Sequence, residues 1–140
     1  MKNRLVVLLA VLSLVALSLA CAIGNTELGV SNLRLAFDQN GKNVTTTFSP
    51  TDVFYAVTYL ANAPQGTRVE AKWTVLNAAD TEPNLEFQTQ TLDITDERFS
   101  GNIHFQLSND EAWPVGQYKV DLYLNGTLAQ TAEFSVQEDA

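Results

Sequence analysis

Apart from Cys21 the chain has no cysteine, and apart from His104 it has no histidine. One thiol and one imidazole cannot make an internal disulfide, a structural zinc site, an iron–sulfur site or a Cys–His pair joining separate parts of a fold. Basic residues are scarce as well: 8 Lys and Arg stand against 16 Asp and Glu, for a formal net charge of -8 and a pI near 4.4. Nucleic acid is gripped by Lys and Arg that displace counterions from phosphates, so DNA and RNA are excluded as expected partners. There is no zinc-protease helix motif, no serine-hydrolase elbow and no phosphate-binding glycine loop. No segment repeats, and no low-complexity stretch follows the first 23 residues. No catalytic residue, cofactor or metal site is therefore expected, and 140 residues fit one domain.

What is present begins with an address. Lys2 and Arg4 precede an apolar stretch from Leu5 to Ala20, and Cys21 follows the small residue Ala20. The positive charges stay on the cytoplasmic side while the apolar stretch enters the membrane, so the remainder is delivered outward. Three readings fit. Leu5 to Ile23 is 19 uncharged residues, about enough for an uncleaved membrane-spanning helix. Cleavage at Ala20 as an ordinary signal peptide would leave Cys21 as a free thiol. The third rests on Ser18-Leu19-Ala20-Cys21, which resembles the lipobox of bacterial lipoproteins, with Ser18 where Leu is commonest. That resemblance implies a signal peptide over 1–20, acylation of Cys21 by diacylglycerol, and a mature chain held by lipid in the bacterial cell envelope. The site is then the outer side of the cytoplasmic membrane or the outer membrane, and Ala22 in place of Asp leans toward the latter. Loss of Lys2 and Arg4 takes the formal charge from -8 to -10, a surface repelled by anionic lipid, so the anchor must do the holding.

Residues 21–31 read as a lipidated N-terminus and a short polar tether. From 32 to 137 apolar residues alternate with polar ones, turn residues intervene at short intervals, and no long stretch has helical periodicity. The expected fold is all-β, a two-sheet antiparallel sandwich of seven or eight strands. Leu33, Leu35 and Phe37, then the turn from Asp38, then Val44, Thr46 and Phe48 predict a hairpin or an edge strand that doubles back. Val53 to Ala63 and the alternating Val69, Ala71, Trp73 and Val75 predict a second pair across Pro64-Gln65-Gly66. Leu85 to Thr91 reads as a weaker strand, Asp96 to Gly101 as a turn, and Ile103, Phe105 and Leu107 as the next strand. Asn125-Gly126 between two apolar-patterned runs predicts a two-residue hairpin turn, because both positions tolerate positive φ.

Pro114 and Gly116 turn a corner that leads to Tyr118, which resembles the tyrosine corner of immunoglobulin-like and fibronectin type III-like sandwiches. Trp73 stands where those folds keep a core tryptophan. The resemblance implies a Tyr118 hydroxyl bonded back to the upstream backbone. In place of the antibody cysteine pair the chain offers Val120 and either Ala56 or Val57.

Chemistry is thin. His104 lies between Ile103 and Phe105 and is expected to point outward. The adjacent acids Asp96-Glu97, Asp110-Glu111 and Glu138-Asp139 diverge and read as solvated surface. Asp38-Gln39-Asn40-Gly41 fails the EF-hand pattern, since glycine falls fourth and Ser49 stands twelfth, and reads as a turn. The strand from Val53 has two apolar faces, so either something covers its outer face or that face binds. Tyr55 and Tyr59, extended by Trp113, are the candidate ligand-binding residues. An envelope protein is the expected partner, with a carbohydrate-binding or adhesion role in which Tyr55, Tyr59 or Trp113 stack on a glycan as the alternative.

Overall fold

The computed structural model describes residues 27 to 139. The signal segment, Cys21 and most of the tether lie outside the described residues. Eight strands form: β1 (Gly29–Ala36), β2 (Thr47–Phe48), β3 (Phe54–Pro64), β4 (Arg68–Ala78), β5 (Leu85–Asp93), β6 (Arg98–Leu107), β7 (Gly116–Leu124) and β8 (Thr127–Val136). They make a β-sandwich of a three-stranded sheet, β1-β3-β6, and a five-stranded sheet, β2-β8-β7-β4-β5. All pairings are antiparallel except β2 with β8.

Alternation gives each sheet an inner apolar face, and the two faces close on an aromatic centre. Trp73, Tyr118, Phe48 and Phe54 are all but completely buried. The Phe54 ring lies 4.7 Å from both Phe48 and Trp113 and 5.0 Å from Phe134. Val120, paired with Trp73, and Ala56 of the other sheet are both sealed in the core, where the chain has no disulfide to rely on. The Trp73 indole N–H donates to Gln90 Oε1 at 2.9 Å, and Gln90 Nε2 donates to the Gln106 carbonyl at 2.7 Å. One amide thus satisfies the core tryptophan and ties the edge of one sheet to the edge of the other.

The C-terminal hairpin forms as the sequence predicts. Asn125 and Gly126 have φ of 49° and 85°, and Asn125 Oδ1 accepts the Arg68 N–H at 2.9 Å. The corner contact forms too: the Tyr118 hydroxyl donates to the Pro114 carbonyl at 2.5 Å. Burial pushes the Tyr118 hydroxyl up to about 12. At Gly116 an added Cβ would stand 2.2 Å from the Asn77 carbonyl, so the close approach of β7 to β4 requires glycine.

Four expectations are corrected. The chain does double back after β1, with Ala36 opposite Val44, but β2 then leaves to join β8 in the other sheet. Phe48 explains the departure, because its ring is drawn into the core against Phe54 and Phe134. β3 and β4 are not a pair. The link between them passes from one sheet to the other, held by the Gly66 N–H on the Ile94 carbonyl and the Ile94 N–H on the Thr67 carbonyl, both at 2.8 Å. The turn read over Asp96 to Gly101 is shorter, since β6 begins at Arg98. β1 begins at Gly29, three residues before the expected boundary, because Gly29, Val30 and Ser31 already pair with Ala61, Leu60 and Tyr59.

Candidate functional site

Strand register decides what the outer face of the three-stranded sheet displays. Paired residues share a face, so Tyr55 sits beside Ala36 and Gln106, Val57 beside Arg34 and His104, and Tyr59 beside Ser31 and Asn102. The opposite set, Phe54, Ala56, Thr58 and Leu60, turns into the core and is fully buried. Of the two residues offered for the core position, Ala56 occupies it and Val57 does not.

The face is layered. Val57 and Ala36 are fully covered although they point away from the core. Above them Tyr55 is half-buried, Tyr59 is 41% exposed, and His104, Asn102 and Gln106 are exposed. The rings of Tyr55 and His104 are 6.3 Å apart. Val44, opposite Ala36, extends this side of the sheet with 59% of its surface exposed. The register places two charged side chains here, Arg34 in β1 and Arg98 at the start of β6. The Arg34 guanidinium turns to the loop after β1, donating to the carbonyls of Gly41 and Asn32 at 3.0 Å and of Asn40 at 3.3 Å.

Trp113 is a correction. It is buried, its ring stacks on Phe54, and its indole N–H donates to the Asp52 carbonyl at 3.0 Å. Pro114 and the corner at Tyr118 fix the backbone so that the ring plugs the end of the sandwich, and it does not extend the Tyr55–Tyr59 surface. A single tryptophan among turn residues gave no period from which to read that orientation. His104 is exposed, as alternation predicts. The Asp38 loop is a turn: its carboxylate accepts backbone N–H groups of Asn43 at 2.7 Å, Lys42 at 3.1 Å and Asn40 at 3.2 Å. Those bonds, the one from Asn43 foremost, hold the Asp38 carboxyl below its ordinary range.

Among the described residues no group of three or more His, Cys, Asp or Glu side chains could hold a metal ion, and no helix is long and apolar enough to cross a membrane. A depression of about 220 Å³ lies where the chain enters β1, lined by Glu27, Leu28, Gly29, Val30, Ser31 and Ala61.

Distribution of charge separates this face from the rest. None of the 16 Asp and Glu residues lies in β1, β3 or β6, whose charged residues are Arg34 and Arg98 alone. The five-stranded sheet is different. Its outer face pairs Lys119 Nζ with Asp121 Oδ2 at 3.1 Å, gives Asp121 a second bond from the Thr131 hydroxyl at 2.5 Å, and sets Lys72 Nζ 4.6 Å from the Tyr123 ring centroid.

No protein-family model and no curated protein matches the chain. Among solved structures it is similar to part of the alkylpurine DNA glycosylase AlkC of Pseudomonas fluorescens, bound to DNA containing an abasic site analog, at 14% identity and a TM-score of 0.51. That match covers 79% of this chain and 30% of the glycosylase. A GH3 beta-glucosidase of Bifidobacterium adolescentis matches at 14% identity and a TM-score of 0.47, over 79% of this chain and 17% of that one. The chain spans under a third of each of these proteins, and at such identity the likeness concerns the fold alone.

Proposed function

We propose that this is a non-catalytic, lipid-anchored protein of the bacterial cell envelope, in which an immunoglobulin-like β-sandwich serves as a structural or protein-binding module. The observation that carries the reading is the pairing of a lipobox-like Ser18-Leu19-Ala20-Cys21 with a folded part that starts at Gly29. Removal of a leader of that kind leaves an acylated cysteine at the start of the mature chain, and only a few residues separate it from β1. Nothing in the thiol inventory competes for Cys21, since the sandwich is closed by aromatic packing and uses no cysteine. The contact surface on this reading is the outer face of β1-β3-β6, where Tyr55, Tyr59, His104 and Val44 stand free of acidic neighbours in their own sheet. A glycan-stacking role would rest on Tyr55 and Tyr59 alone, with Trp113 withdrawn into the core.

Intact mass of the membrane-extracted protein tests the anchor. The expected species begins at Cys21 and is heavier by a diacylglycerol, and Cys21→Ser abolishes it. An unmodified full-length chain, or a cleaved chain without lipid, would overturn the reading.

A further inference from the structure

We infer that the acid-free face of the three-stranded sheet rests on the anionic headgroup surface of the membrane that holds the anchor, so that the module lies on its side. The inference rests on the lipid-anchor reading and names the occupant of the contact face. Three features converge on it.

First, the sign of charge. A mature chain with a formal charge of -10, from 6 Lys and Arg against 16 acids, is repelled by anionic lipid as a whole, yet β1, β3 and β6 contain no acid and place Arg34 and Arg98 on their outer face. Two packed sheets lie ~10 Å apart, and side chains extend further on either side. At physiological salt the Debye length is about 8 Å, so the Asp and Glu of the far sheet are largely screened from a bilayer touching the near one. The other acids lie in loops and ends, with Glu27, Asp38 and Glu97 at the margins of this sheet, and the acid-free face between them is the side by which this protein can approach such a surface.

Second, the size and chemistry of the patch. Three strands about 4.8 Å apart and some 30 Å long give roughly 400 Å², about half the ~800 Å² per partner of a standard protein interface. That is small for a partner bound from solution and sufficient for a surface to which the domain is already tethered. Tyrosine with a polar tip suits the headgroup level, and Tyr55 and Tyr59 lie on this face beside the uncharged Asn102 and Gln106.

Third, the reach of the tether. Eight peptide steps separate Cys21 from Gly29, at most about 29 Å when fully extended. β1 is an edge strand of the sheet in question, so a short tether brings this sheet to the bilayer first. The five-stranded sheet, which carries Glu70, Glu86 and Glu133 beside the Lys119–Asp121 pair, is left facing outward.

The lipidated full-length chain supplies the test, because acylation consumes its only thiol. Asn102→Cys and Glu133→Cys place one reactive thiol on the outer face of each sheet, both at exposed positions. Each is reacted with a charged, membrane-impermeant maleimide in neutral detergent and on vesicles of phosphatidylglycerol and phosphatidylethanolamine. The expected result is labelling at position 102 slowed at least five-fold on the vesicles while position 133 is unchanged, with the difference lost on phosphatidylcholine vesicles. Equal rates at both positions on the anionic vesicles, or protection at 133, would overturn the orientation. Failure of the anchor shows separately, as a chain without lipid mass that does not float with vesicles, and it removes the orientation too. Protection at 102 that needs a native envelope extract and is missing on pure lipid would assign the face to a protein and overturn the lipid assignment.

Discussion

The two sheets of this sandwich turn opposite kinds of surface to solvent. On the five-stranded sheet, Asp121 is 7% exposed and is held by Lys119 and Thr131, while Lys72 sits over Tyr123. These polar groups are occupied by one another, while Glu70 and Glu133 add negative charge to the same sheet. On the three-stranded sheet, Arg34 turns to backbone carbonyls and leaves Tyr59, His104 and Val44 open. Net charge of one sign keeps acidic domains apart, and a face free of acids with open apolar side chains is where such a domain can make contact. Both faces are built on one core, so substitutions can separate what holds the fold from what the face does.

The comparison sharpens most at Trp113, the aromatic ring that belongs to the core and not to the contact surface. Trp113→Ala should cost about 3–5 kcal/mol of unfolding free energy, read by denaturant titration, and a loss under 1 kcal/mol would return it to the surface. Next comes Asp121→Ala, which strips a buried carboxylate from the Thr131 hydroxyl and Lys119. A cost of about 1–3 kcal/mol is expected, against nearly none for any side chain exposed on the other face. Tyr118 gives a smaller effect with a distinct signature. Its hydroxyl is raised to about 12 by burial, so its contribution is complete below the ordinary value near 10 and is lost as pH rises from there through about 12. Tyr118→Phe should lower stability by about 0.5–1.5 kcal/mol at neutral pH and flatten the alkaline limb of the unfolding profile. Smallest of all, Tyr59→Ser should change stability by about 0.5 kcal/mol or less while abolishing contact through the face.

Much of the sandwich was legible because β-structure writes itself in period two. Val120, Leu122 and Phe134 alternate cleanly, and Asn125-Gly126 can do little but turn. Partnership was harder to read. A strand's alternation says which side faces a core, but not which neighbour it bonds, so Pro64-Gln65-Gly66 looked like a hairpin and proved a passage between sheets. Phe48 illustrates the same point: two residues of strand, too short to show a period, are placed by one ring seeking the aromatic centre. Of the candidate face, Tyr55 and Tyr59 were readable from strand parity. Val44 was not, because its place depends on a loop folding back through Arg34. The absence of acids from β1, β3 and β6 was in the sequence all along, and it acquired meaning only when the topology joined those three strands.

The central claim is that the outer face of the three-stranded sheet is the one in contact. Hydroxyl-radical footprinting of the protein in native envelopes, compared with the purified full-length chain, tests it directly. Oxidation of Tyr59 and His104 should fall several-fold in the envelope while Tyr123 on the opposite sheet stays as reactive as in the purified protein. Tyr59 equally reactive in both settings, or protection confined to Tyr123, would contradict the account.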